Sequence, residues 1–244
     1  MPLYKEQGIV LRSHKLGEAD KIVTFMSQGS GKIRGVAKGI RRTKSRFGAR
    51  LEPFTHVSLM LYRGTGALDT VTQAEIIAPH IAIREDLGLF AAGATMLEAV
   101  DKVAEEHERN LSLFLLLLQG LRALDAQPAD GVAVAESFLL KLLSVSGFHP
   151  SLTACAVCGS ARTSMFSSAQ GGAVCSGCAE AGAEPVSAEA LALLHALASA
   201  DLFGAGGIES EPRRRKEARA LLSGFVEYHI ERRMKSLPML ARMP

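Results

Sequence analysis

All four cysteines of this 244-residue chain fall into two pairs, Cys155-x-x-Cys158 and Cys175-x-x-Cys178. Each C-x-x-C turn aims two sulfurs at one point, and two such turns ~15 to 20 residues apart gather four thiolates around one metal ion. Gly159, Gly171 and Gly172 permit the turns and a short hairpin between them. Four thiolates complete a tetrahedral zinc and leave no position for water, so one structural Zn2+ is expected on Cys155, Cys158, Cys175 and Cys178. Disulfides suit exported chains, and the opening MPLYKEQG lacks the apolar core of a secretory signal, so a cytoplasmic protein is expected. A dithiol redox site needs only one such pair. A base deaminase needs H-x-E with P-C-x-x-C, whereas His149-Pro150 is not followed by Glu and Pro150 is not adjacent to Cys155.

Upstream of the cysteines the residue pattern has the period of strands. Ile9 to Leu11, Lys21 to Met26, Ile33 to Val36, Val57 to Tyr62 and Thr70 to Ile77 are short β-branched or alternating runs separated by turn residues. Five strands in residues 1–80 suit a small barrel; an OB-fold is expected, although an SH3-like barrel would read almost the same.

One long connection interrupts this barrel. Residues 32–50 read KIRGVAKGIRRTKSRFGAR and hold Lys32, Arg34, Lys38, Arg41, Arg42, Lys44, Arg46 and Arg50 without an acidic residue. Such a run is either a solvated, mobile loop or a surface for a polyanion. The charge distribution bears on the choice: residues 1–80 carry 13 Lys/Arg against 6 Asp/Glu, while the remainder carries 15 against 19. A positive field confined to one third of the chain points to nucleic acid. Phe47, inside the run, is either a base-stacking ring or core; Phe25, Phe54 and Tyr62 read as core.

From Ile83 the spacing becomes helical. One helix is expected over Leu87 to His107, its end solvated by Glu105, Glu106 and Glu108. A second follows an Asn110 cap and is apolar nearly all round, hence central; a third runs from about Asp130 to Val145. These make a helical unit over residues 81–150, interrupted by the cysteine ribbon over 151–184 and resumed over 185–244. In the last part Ser187 caps a helix on which His195 is expected to pack, and a final helix runs from Pro212 to Lys235. Arg213, Arg214, Arg215 and Lys216 open that helix against its dipole, so with Arg219 they mark either a second anion-binding patch or an exposed end. The most apolar run, Leu113 to Leu118, is far short of the ~20 residues a membrane helix needs, so no membrane partner is expected.

Several motifs, in this order, resemble the RecO family of bacterial recombination-mediator proteins, in a wording most like its actinobacterial members. They are Gly8-Ile9-Val10-Leu11, Gly17-Glu18-Ala19-Asp20-Lys21-Ile22-Val23, Ala37-Lys38-Gly39 with Arg41-Arg42, and Leu51-Glu52-Pro53-Phe54. Gly147, Pro150, Cys155, Cys158, Gly159 and Lys235-Ser236-Leu237 continue the match. The resemblance implies an N-terminal OB-fold, a helical domain interrupted by a zinc ribbon, and no enzymatic turnover. It implies binding of single- and double-stranded DNA, strand annealing, and loading of the RecA recombinase onto DNA coated by single-strand binding protein. The partners it implies are a RecR-like protein, the C-terminal tail of single-strand binding protein and, indirectly, RecA, in a nucleoid-associated protein. A zinc-ribbon module for RNA or the ribosome would use the same residues. An enzyme finds no phosphate-binding glycine loop, carboxylate pair or open metal site.

Overall fold

The structure, a computed structural model, describes residues 3–45, 47–64, 66 and 68–243. Strands β1 (Leu3–Leu16), β2 (Asp20–Ser27), β3 (Gly31–Ala37), β4 (His56–Tyr62) and β5 (Asp69–Ala78) close a barrel in the order β1-β2-β3-β5-β4. β1 pairs antiparallel with both β2 and β4, and β3 runs parallel to β5 at Gly35–Asp69 and Val36–Thr70. This is the OB arrangement. β1 is far longer than its apolar centre because one strand serves two neighbours. Its first half faces β4 and its second half β2, and the register shift between Val10 and Arg12 bends it from one to the other. Val10, Val23, Phe25, Ile33, Val57, Leu59, Leu61 and Val71 fill the interior.

The outer face of the barrel is not all solvent. Ile9, Leu11, Met26 and Phe54 belong to the same buried cluster as the helices. That cluster is built on α1 (Ala82–Glu85), α2 (Leu87–Val103), α3 (Leu111–Asp125) and α4 (Gly131–Val145). The side chains of Asp86, Asn110 and Asp130 accept the amides of Leu89, Leu113 and Ala133, so that α2, α3 and α4 each start on a satisfied first turn. α4, buried without a break from Val132 to Leu140, is the central helix; α3, expected there, leaves Leu115 at the surface. α2 stops at Val103, short of His107, because residues 105–108 turn to run beside β3.

After the ribbon come α5 (Ala188–Ser199), capped by Ser187, then α6 (Leu202–Ala205), α7 (Pro212–Ile230) and α8 (Leu237–Leu240). His195 faces solvent rather than packing. α7 ends before Lys235 because Glu231 takes a left-handed conformation and Glu98 of α2 captures the amides of Lys235 and Ser236, 2.9 and 2.7 Å away. The ribbon is a small sheet of β6 (Met165–Ser167), β7 (Gly172–Val174) and β8 (Glu184–Pro185), packed on α7 through Phe166 against Phe225. Gly172, at φ 130°, bridges to Ser151; a Cβ there would sit 2.4 Å from the Ser151 carbonyl oxygen. Among the described residues no helix is long and apolar enough to cross a membrane.

Candidate nucleic-acid interface and metal centre

The connection from β3 to β4 is ordered by its apolar residues. Ile40, Phe47 and Leu51 turn into the barrel core, the last from a short 3-10 helix, Gly48–Leu51. Gly39, at φ 71°, donates its amide to Asp20, and the Arg41 amide reaches the Ala19 carbonyl, pinning the loop to the β1–β2 turn. The Arg41 guanidinium adds bonds to the carbonyls of Gly17 and Glu18 at 3.2 and 2.8 Å. With the apolar side chains inside, the cations stand outside: Lys38, Arg41, Arg42, Lys44 and Arg50 are exposed on one connection. Arg46 lies outside the described residues.

Three expected members of this surface are elsewhere. Phe47 is 1 % exposed and plugs the barrel, so its ring has no face for a base. Lys32 donates to the Asp101 carbonyl at 2.6 Å, and Arg34 forms a two-pronged pair with Glu106 at 2.9 and 3.0 Å. The acidic segment 105–108 keeps its side chains exposed, as expected, but it lies beyond the helix end and its backbone runs against β3, with the Lys32 amide on the Glu105 carbonyl and the His107 amide on the Lys32 carbonyl. Gly31 makes this approach possible, since a Cβ there would overlap the Glu108 carbonyl. Oligonucleotide-binding OB barrels use the β2–β3 face. Here Thr24 and Met26 on that face are buried, and Lys32 and Arg34 are neutralised.

The basic start of α7 divides similarly. Arg215 pairs with Asp130, and Arg219 Nε lies 2.7 Å from Glu136, which is 2 % exposed. Burial holds the Glu136 carboxyl above its usual range, with Arg219 pulling the other way. These two arginines tie α7 to α4 and are not a free patch. Arg214 pairs with Glu211 at 3.1 Å, and Arg213 and Lys216 are exposed. Beside them a groove of about 570 Å3 runs between α7 and α8, lined by Pro212, Ala220, Leu237, Pro238 and Met243 with Lys216 at its rim.

The four cysteines come together as their spacing requires. All four sulfurs lie within 4.8 Å of one another, and Cys158 Sγ is 3.8 Å from Cys175 Sγ. A tetrahedron of ~2.3 Å metal–sulfur bonds has edges of about 3.8 Å, so the set fits one ion held by four thiolates. Hydrogen bonds from Gly159 to the Cys155 carbonyl and from Cys178 and Ala179 to the Cys175 carbonyl close the two turns. Gln170 clamps the second turn through the Cys178 carbonyl and the Glu180 amide, a role its sequence position does not advertise. Backbone amides of Cys158 and Cys175 push the Cys155 thiol down to about 6, whereas its hydrogen-bonded neighbour Cys175, with Cys158, pushes Cys178 up to about 12.

Two histidines without any sequence signal lie where barrel and helices meet. His56 on β4 is 4 % exposed and edge-on to Phe114 of α3; His80 is 2 % exposed, with Nδ1 3.4 Å from Asp125. Burial, then His80 and Arg122, push the pKa of His56 down to about 4.

A closed OB barrel with an exposed basic connection, fused to a helical unit that carries four clustered cysteines, defines the architecture of an OB-fold protein with a four-cysteine ribbon insert. The family model described as Recombination protein O N terminal matches residues 1–80, and that described as Recombination protein O C terminal matches residues 84–238. The chain is 44 % identical over 245 residues to "DNA repair protein RecO" of Frankia casuarinae, covering 99 % of this chain and all of the relative. It is 44 % identical to the protein of that name from Nocardioides sp., covering 98 % of this chain and all of the relative. For the Streptomyces avermitilis relative of the same name the identity is 43 %, over 97 % of this chain and 98 % of that protein. The chain belongs to the RecO family.

Proposed function

We propose that this protein is a DNA repair and recombination mediator. It binds single- and double-stranded DNA without reading sequence, anneals complementary strands and, with a RecR-type partner, helps load RecA onto DNA coated with single-strand binding protein. The observation that carries this reading is the group of exposed cations, Lys38, Arg41, Arg42, Lys44 and Arg50, on one connection of an OB barrel in a RecO-family chain. Such contacts neutralise phosphates and leave bases unread, so a bound strand slides until it meets its complement. The division of labour follows the chain: the barrel of residues 1–80 grips DNA, and the helical parts, 81–150 and 185–244, dock partners. The ribbon of 151–184 holds one structural Zn2+ on Cys155, Cys158, Cys175 and Cys178. The acidic, apolar tail of single-strand binding protein fits the groove between α7 and α8, where Lys216 supplies the cation. The protein acts without turnover, in the nucleoid-bearing cytoplasm.

The test is a strand-annealing assay on complementary oligonucleotides, naked and coated with single-strand binding protein, with the Lys38→Ala/Arg42→Ala/Lys44→Ala variant alongside. Among the described residues no hydrogen bond or ion pair engages these three side chains, so their removal should leave the barrel folded. The slope of log affinity against log salt should fall by about 2 on single strands, at ~0.7 for each phosphate no longer neutralised. No annealing on either substrate, or tighter binding to structured RNA, would reject the reading.

A further inference from the structure

The seam between barrel and helices holds a groove of about 450 Å3 that the basic connection does not use. Its floor is Phe54, buried and held at φ 73°, a conformation costly for a residue with a bulky side chain. Its wall is the α2 face formed by Phe90, Ala94 and Leu97. Phe90 stands edge-on to Phe54, with ring centroids 5.4 Å apart, and 41 % of it remains exposed. An aromatic ring propped against a fixed neighbour and left open to solvent is a stacking platform for a flat partner.

The rim says which partner. Asp101 is engaged by Arg12 at 2.6 Å and by Lys32 at 3.9 Å. Glu98 is engaged by Lys102 at 3.7 Å and by the amides of Lys235 and Ser236. Of the cations that line the groove, Arg12 and Lys102 face the carboxylates Asp101 and Glu98, and among the described residues no hydrogen bond or ion pair engages the exposed ammonium of Lys235, which is left to an outside anion. From Arg12 the β1 strand leads through His14 to Leu16, roughly 13 Å at ~3.3 Å per residue, and reaches the turn on which Arg41 is anchored.

We propose that this seam groove is a base-stacking site for single-stranded DNA, in which one unpaired base lies on Phe90 while Lys235 takes a flanking phosphate. It rests on the DNA-binding reading above and adds what the basic connection lacks, discrimination of single strand from duplex, because paired bases cannot leave their stack to reach Phe90.

The chain has no tryptophan, so Phe90→Trp installs a single reporter at the platform. A short oligothymidylate should quench its fluorescence at saturation, and a duplex of equal length should not. Phe203→Trp, at an exposed position on α6, should stay unquenched by both. Phe90→Ala and the better-packed Phe90→Leu should each weaken single-strand binding by about 5- to 140-fold, the worth of one stacked base. Neither should change duplex affinity or the salt slope. An unquenched Phe90→Trp protein that binds the oligonucleotide overturns the groove, as does an equal weakening on single strand and duplex. If the Lys38/Arg42/Lys44 variant has a reduced salt slope while Phe90→Leu changes nothing, the groove fails and the basic connection stands. If the wild-type protein binds no DNA, both fall.

Discussion

Arg219 sits in a basic run at the start of α7, yet its guanidinium points inward to Glu136, and truncating it separates the two roles. Glu136 is 2 % exposed, and Arg219 Nε at 2.7 Å is its charged partner. Arg219→Ala leaves a buried carboxylate unpaired, which costs about 3 to 5 kcal/mol at neutral pH. For a chain of this length ~1 kcal/mol moves Tm by roughly 2 to 4 °C, so the melting transition should fall by about 6 to 20 °C in circular dichroism. Burial raises the Glu136 carboxyl and Arg219 opposes it. With Arg219 gone desolvation acts alone, and the folded pKa lies further above the unfolded one. The penalty should therefore grow as pH rises through the carboxylate range and shrink as pH falls toward about 4, where Glu136 is largely protonated in both states. Glu136→Leu combined with Arg219→Met should recover most of the stability, since apolar residues of similar volume replace a buried pair at little cost. The salt slope of DNA binding should not change. A variant that melts within a degree or two of wild type but binds DNA with a reduced slope would refute this reasoning and return Arg219 to the nucleic-acid surface.

Elemental analysis should find one zinc per chain, and Cys158→Ser or strong chelation should unfold the ribbon, while the far-ultraviolet signal of α2, α3 and α4 changes little. Acid should loosen the joint between barrel and helices. His56 has a folded pKa of about 4 against an ordinary 6.5, so stability is full above pH 6.5 and falls by roughly 3 kcal/mol as pH drops to about 4; His56→Gln should flatten that part of the stability profile. Glu98→Ala should free the amides of Lys235 and Ser236 and release α8, seen as faster proteolytic cleavage between Glu231 and Ser236 with the barrel intact.

What was legible in the residues was what local pattern controls. The short apolar, β-branched runs Lys21 to Met26 and Val57 to Tyr62, set between turn residues, mark strands whatever they pair with, and two C-x-x-C turns converge by their own geometry. What was not legible depends on distant partners. Nothing near Lys32 or Arg34 reveals that Asp101 and Glu106, some seventy positions away, will fold against them. Phe47 looks like a surface ring because its neighbours are charged, but the β3–β4 connection has to close the barrel, and Phe47 is the side chain that does so. Arg215 and Arg219 fall on the inner side of α7 only because α4 and its cap present Glu136 and Asp130 to it.

The shared core beneath β1 and β2 has a consequence for how this chain can be divided. Ile9, Leu11, Met26 and Phe54 are sealed by α2 and its neighbours, and a fragment ending after β5 would bare them all on one side. Such a piece is not a portable module: cut loose, it would present a sticky apolar patch and self-associate. Barrel and helices are thus obliged to be made, folded and inherited as one object, and a chimera joining this barrel to an unrelated helical unit would have to rebuild that seam before it could bind anything.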